Sequence, residues 1–270
     1  MSGGLDRRGL FRGAAALGGA AALPAGAGAQ TEAPAAPPAA PPAAAAPPPA
    51  PGSLAAWRAG QRAAPDQVPY RFFNPMEAGF VEAAADRLIP ADDDWPGALW
   101  AGVPAYIDGQ LAGAYGQGAR FYAAGPWAKG IPSQGYQLPL APAALYRTSL
   151  SALLREGERR GLDFTGATPE QQDGFLQEME AGKIDCGGFP SSVFFETLLA
   201  NTIEGFLSDP VYGGNRDMVG WRMIGFPGAY AAYLPLYTHH GMTLAREPMS
   251  IGDHARAQQV HGEEGAHRHG

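Results

Sequence analysis

Three groups of side chains in this sequence could bind a metal or transfer a proton, and their spacing limits what each can do. Asp92-Asp93-Asp94 is the densest acidic run and sits just ahead of Trp95-Pro96-Gly97. A calcium site draws several oxygens to one ion at ~2.3–2.6 Å. Three successive side chains do not converge in that way without ligands from elsewhere, so the run reads as a solvated loop. Glu196 and Glu204 fall on roughly one side of an apolar helical stretch. At ~1.5 Å rise per residue they stand ~12 Å apart along the axis, beyond the range of paired glycosidase carboxylates. The third group is histidine: His239, His240, His254, His261, His267 and His269 all follow Thr238, and none precedes it. Histidine is the usual acid–base residue because its pKa lies near neutrality. A catalytic body in this chain would therefore have to use carboxylates, lysine, tyrosine or these late histidines. A histidine cluster can hold a transition metal, but here it has neither a fixed frame nor a carboxylate partner.

Several cofactor classes are excluded by what is missing. A single cysteine in 270 residues rules out an internal disulfide framework, a cysteine-based zinc site and a cysteine-ligated iron–sulfur cluster, and no C-x-x-C-H is present to attach haem. No dinucleotide-binding G-x-G-x-x-G follows a strand, and no phosphate loop, H-E-x-x-H or G-x-S-x-G occurs. With 19 basic against 26 acidic residues and a formal charge of −7, the chain lacks the basic excess that a nucleic-acid binder needs.

One segment stands out in composition. Residues 205–228 hold six glycines, two prolines and four large aromatics, Phe206, Tyr212, Trp221 and Phe226. Glycine allows positive φ and close backbone approach, while tyrosine and tryptophan combine contact area with a hydrogen-bonding end. The pattern predicts a sharply turned, packed loop. It suits either a partner interface or a plug for the chain's own core, and composition alone leaves both open. The interface candidates are Asp209, Pro210, Tyr212, Gly213, Gly214, Asn215, Trp221, Phe226 and Pro227.

These residues need a frame, and four regions can be marked out. Asp6-Arg7-Arg8-Gly9-Leu10-Phe11-Arg12, the uncharged run Gly13 to Leu23 and Ala27-Gly28-Ala29 have the form of an export signal over residues 1–29. The pair Arg7-Arg8 ahead of a weak apolar run is similar to a twin-arginine signal, a route for proteins exported already folded. The apolar run is too short for a membrane span, which needs ~20 residues. Residues 30–69 form an Ala/Pro-rich linker, with nine prolines between Thr31 and Gly52, and are expected to be disordered and extended. Residues 70–237 should be a mainly α body with long Gly/Pro loops, and 238–270 a flexible, histidine-containing tail.

Within the body, Asn74-Pro75-Met76-Glu77 and Thr168-Pro169-Glu170-Gln171 are helix starts of the capping-box type. The first opens a helix that Pro90 ends, and the second a helix that Gly182 stops. Val103, Ile107, Leu111 and Tyr115 predict a helix from about Pro104 to Gly116. Pro142 opens another that ends in Arg159-Arg160 before Gly161, as the helix dipole favours. Ser191 or Ser192 is expected to cap the most apolar helix, which stops before Asp209-Pro210 and should form the core. Strand patterns are scarce.

Taken in order, Ala85-Asp86-Arg87-Leu88-Ile89-Pro90, Asp92-Asp93, Pro96-Gly97-Ala98, Tyr106-Ile107-Asp108, Leu145-Tyr146-Arg147, Asp209-Pro210-x-Tyr212-Gly213-Gly214-Asn215, Gly220-Trp221 and Ile224-Gly225-Phe226-Pro227-Gly228 resemble the gluconate 2-dehydrogenase subunit 3 family. The likeness spans roughly residues 75–233. It implies a small, or gamma, subunit of a membrane-bound flavin-dependent sugar or sugar-acid dehydrogenase. In such a complex a glucose–methanol–choline-type flavoprotein large subunit holds FAD, and a multihaem cytochrome c subunit carries haem c and anchors the assembly. The small subunit commonly bears the twin-arginine signal and supports maturation and export of the large one. The resemblance transfers no catalytic residue, no cofactor and no metal to this chain. It places the protein in the periplasm, associated with the membrane through its partners.

Cys186, in Asp185-Cys186-Gly187-Gly188, has two readings in an exported subunit. A glycine-flanked loop position would expose it for a disulfide to a partner chain, whereas the plainer expectation is a buried or idle thiol. An autonomous periplasmic enzyme, or a solute- or metal-binding protein using Asp92 to Asp94 or the late histidines, is the competing function.

Overall fold

Asn74 opens the first helix as its sequence predicts: its side chain accepts from the Glu77 amide at 3.0 Å, and the Glu77 carboxylate accepts from the Asn74 amide at 3.0 Å. This helix, α1, runs Pro75–Leu88 in the computed structural model, which describes residues 69–122, 124–128, 130–229, 238–241 and 247–253. Arg7, Arg8, the export signal, the Ala/Pro linker up to residue 68, and His254, His261, His267 and His269 lie outside the described residues. Five further helices follow: α2 (Val103–Leu111), α3 (Pro142–Arg160), α4 (Pro169–Glu180), α5 (Ser191–Leu207) and α6 (Val219–Ile224). Single 3-10 turns occupy Pro132–Gln134, Pro210–Tyr212 and Arg216–Met218. Among the described residues there is no strand; two isolated bridges, Asp185 with Pro190 and Gly228 with Met249, are the only extended pairings.

Two expectations change in detail. α2 ends at Leu111 rather than near Gly116, because the chain doubles back so tightly that a Cβ at Gly116 would lie 1.8 Å from the Leu111 carbonyl oxygen. Neither Ser191 nor Ser192 caps α5; Pro190 holds that position without a side-chain bond. Ser191 is buried instead. Its hydroxyl donates to the Met179 carbonyl at 3.0 Å and accepts from the Ile184 amide at 3.3 Å, tying the start of α5 to the end of α4. The buried hydroxyl gives the Ile184 amide an acceptor and shares the Met179 carbonyl with the Gly182 amide.

α5 is the central element, as its apolar character predicts, and it touches each of the other five helices. Phe194, Leu198 and Phe206 are fully buried along it. Gly205 lets α2 come close, since a Cβ there would stand 2.7 Å from the Tyr106 ring. Phe80 stacks on Phe164 with centroids 4.4 Å apart, and the Tyr146 ring meets Phe194 edge-on at 5.0 Å.

Polar side chains in and around the core clip elements together. The Asp108 carboxylate on α2 accepts from the amides of Arg71, Phe72 and Phe73 at 2.8, 2.8 and 2.9 Å, and so fixes the chain entering α1. Arg147 on α3 pairs with Glu77, donates to the Phe72 carbonyl and covers the Phe72 ring at 4.0 Å. Arg87 and Asp173 form a two-pronged pair at 2.8 and 2.9 Å between α1 and α4. Asn201 donates to the Tyr146 hydroxyl at 3.0 Å and accepts from the Tyr115 hydroxyl at 3.2 Å.

Candidate partner interface

The loop between α5 and the residues after α6 is held from inside by side chains that point away from solvent. The Asp209 Oδ1 accepts from the Val211 amide at 3.0 Å and starts the turn Pro210–Tyr212, which Gly213 ends at φ 98°. Asn215, fully buried at φ 47°, donates to the Ser208 carbonyl at 2.8 Å and accepts from the Gly220 amide at 2.8 Å. The backbone lies directly on the end of α5. A Cβ at Gly214 would come within 2.2 Å of the Gly205 carbonyl oxygen, and one at Gly220 within 2.1 Å of that of Phe206. Asp217 and Met218 also adopt positive φ, at 52° and 56°. Each such residue costs on the order of 1 kcal/mol, so the surrounding contacts must impose the shape.

Trp221 donates from Nε1 to the Leu207 carbonyl at 2.7 Å, is 6% exposed, and meets the Phe226 ring edge-on at 5.2 Å. The Arg216 amide donates to the Ala101 carbonyl at 3.0 Å, and its guanidinium lies over the Trp100 ring at 5.7 Å, joining the loop to the chain ahead of α2.

The nine interface candidates therefore divide. Asp209, Gly214, Asn215 and Trp221 are buried and act as framework, because their polar groups or their lack of a Cβ are used by neighbouring backbone. Tyr212, Gly213 and Phe226 face solvent, and Pro210 and Pro227 are half-buried. Val211 (58%) and Ile224 (51%) are as exposed as Tyr212 (58%) and Phe226 (46%), and so join the outward face. Composition placed Val211 and Ile224 inside the segment but gave no sign that they point outward, since valine and isoleucine usually mark a core.

The remaining sequence candidates are not assembled into a site. Asp92 caps its own turn, its Oδ1 accepting from the amides of Asp94 and Trp95 at 2.9 and 2.6 Å. Asp92, Asp93 and Asp94 are exposed, as are His239 and His240. Among the described residues no group of three or more His, Cys, Asp or Glu could hold a metal ion. Glu196 and Glu204 both line a groove of about 780 Å³ between α5 and residues 115–141, beside Tyr115, Phe121 and Tyr136. Desolvation raises the Glu204 carboxyl above its usual 4.5.

Cys186 departs from the accessible position that its glycine neighbours suggest. Gly187 and Gly188, at φ 92° and 97°, form a tight turn closed by the Cys186 amide on the Phe189 carbonyl at 2.8 Å. This turn directs the sulfur inward, and Cys186 is 0% exposed. Burial pushes the thiol up to about 11; the Ser149 hydroxyl beside it lowers it slightly, though not in hydrogen-bonding geometry. A disulfide to another chain would need this turn to open. A buried thiol within the core also does not fit thioether attachment of haem.

Among the described residues the body is helical, with Asp209, Asn215, Trp221 and Cys186 buried as framework and Tyr212 and Phe226 of the loop facing solvent. Residues 75–228 match the model of the gluconate 2-dehydrogenase subunit 3 family, and the chain belongs to that family. It is thus a subunit of a gluconate 2-dehydrogenase complex. The match opens on the first residue of α1 and closes on the Gly228 that ends the loop. Among curated proteins and among solved structures, nothing matches the chain.

Proposed function

We propose that this chain is the non-catalytic gamma subunit of a periplasmic, FAD-dependent sugar or sugar-acid dehydrogenase, and that it supports folding, stability and twin-arginine export of the flavoprotein large subunit. The observation that carries this reading is the exposure of Val211, Tyr212, Ile224 and Phe226 on a loop braced by the buried Asp209, Asn215 and Trp221. A loop fixed before it meets its partner loses little conformational entropy on binding, so more of the contact energy is kept as affinity. Aromatic anchors at the centre of such a face typically carry much of that energy.

In this reading the chemistry lies on other chains: FAD on the glucose–methanol–choline-type large subunit, and haem c on a multihaem cytochrome c subunit. No helix among the described residues is long and apolar enough to cross a membrane; in this reading membrane association runs through the cytochrome subunit. The pair Arg7-Arg8 supplies the export address for a complex that crosses already folded.

Co-expression of a flavoprotein large subunit with and without this chain is the direct test. Flavin loading, periplasmic yield and dehydrogenase activity should all fall when the chain is missing; equal values in both cases would reject the proposal. A second reading, a periplasmic solute binder, draws on the groove beside Glu204 and its aromatic walls. Saturable binding of a sugar or polyol by the purified chain, with no effect on a co-expressed flavoprotein, would favour it.

A further inference from the structure

Residues 247–253 lie beyond the family-matched region, in the part of the chain assigned to the tail, yet they are attached to the loop at three places. The Ile251 amide donates to the free oxygen of Asp209, Oδ2, at 2.7 Å. Around Gly228, the Met249 carbonyl accepts from the Ala229 amide at 2.8 Å and the Met249 amide donates to the Pro227 carbonyl at 3.2 Å. Glu247 pairs with Arg222 on α6. The segment is closed on itself by Ser250, 4% exposed, and Asp253, which are bonded at 2.8 Å.

Gly228 points to the same arrangement independently. It has φ +81°, and a Cβ there would meet the Met249 carbonyl oxygen at 2.2 Å. The glycine that ends the family-matched region thus leaves room for a segment arriving from outside it. Ile251, 50% exposed, is brought beside Asp209 and Val211, while Met249 runs next to Pro227 and hence close to Phe226.

We infer that residues 247–253 are a strap that locks the 209–228 loop and, through Ile251, completes the face that docks the flavoprotein large subunit. This deepens the function proposed above and rests on it for the identity of the occupant. Residues within the family-matched region supply Tyr212 and Phe226, and the strap, which lies beyond it, supplies Ile251. If the strap leaves, the Pro227 carbonyl, the Ala229 amide and Asp209 Oδ2 each exchange a bond within the chain for one to water. The modest net gain of each intramolecular bond over a bond to water favours keeping the strap in place.

Three chains separate the alternatives: the full chain, a truncation lacking residues 254–270, and one lacking 247–270. Amide hydrogen exchange on each chain alone tests the lock. Loss of 247–270 should speed exchange at Val211, Gly220 and Phe226 at least tenfold while leaving α1 to α4 protected, and loss of 254–270 should change neither. Unchanged exchange in the shorter chain would overturn the strap. Affinity for the flavoprotein tests the docking role, with Ile251→Asp as a second variant that keeps the backbone contacts. Ile251→Asp should weaken binding at least tenfold with loop exchange unaltered; full affinity in that variant would overturn Ile251 as part of the face. Absence of binding by the full chain would reject the proposed function, and the exchange comparison would still decide the strap.

Discussion

At the scale of single residues, the side chains with the most chemical potential are used for structure. Asn215 satisfies two backbone groups from a buried, left-handed position. Asn215→Ala removes both bonds and the residue type best suited to that φ, which should cost about 2–3 kcal/mol. The expected fall in Tm is roughly 4–12 °C, measurable by thermal unfolding of the isolated chain. Cys186 illustrates the same point for reactivity. Burial pushes its thiol up to about 11, so the thiolate fraction at pH 8 should be far smaller than for a free cysteine. Alkylation should be slow in the native chain and fast in denaturant. On a non-reducing gel the subunit should run free of its partners, and a mixed disulfide there would contradict the burial.

At the scale of elements, two polar groups have effects beyond their own positions. Asp108 gathers three successive amides ahead of α1. Asp108→Ala leaves those donors unpaired, at a cost of about 2–4 kcal/mol, and should expose residues 69–74 to limited proteolysis before α1 unfolds. Glu204 on α5 works in the opposite direction. Its folded pKa lies above its unfolded value of 4.5, so its contribution to stability is complete below about pH 4.5 and is lost as pH rises through the folded value. Glu204→Gln should therefore raise Tm slightly at pH 7, by less than about 2 °C because the side chain still meets water, and leave Tm near pH 4 unchanged. A Tm that falls at pH 7 would show that the charged form makes a favourable contact. The helices were largely legible in the sequence, since the Asn74 and Thr168 caps and the Gly161 stop are local signals that tertiary packing did not override. The short α6 was not, because its six residues sit among glycines and are held as a helix by Trp221 and the end of α5 rather than by propensity.

At the scale of the whole molecule, the arrangement is a central helix with its other helices around it and one worked loop at its C-terminal end. The double change Tyr212→Ala with Phe226→Ala removes exposed rings and leaves Asp209, Asn215 and Trp221 in place. It should leave Tm within about 2 °C of the parent while weakening association with the flavoprotein at least about tenfold, read by co-purification and by flavin loading. Association that survives this change would move the interface to another face, with the groove beside Glu204 as the next surface to test.

The sequence by itself determined the helical class and the family, because these follow from local periodicity and from short motifs in order along the chain. Only the tertiary structure decided the direction of each side chain in the Gly-rich loop. Asn215 and Trp221 turn inward because carbonyls at the end of α5 need donors, and Val211 and Tyr212 turn outward because Asp209 closes the turn beneath them. The structure also decided between the two readings of Cys186 in favour of the plainer, buried one, and it alone revealed that residues 247–253 return to Gly228. Those are contacts between segments far apart in the chain, which no local pattern in the sequence encodes.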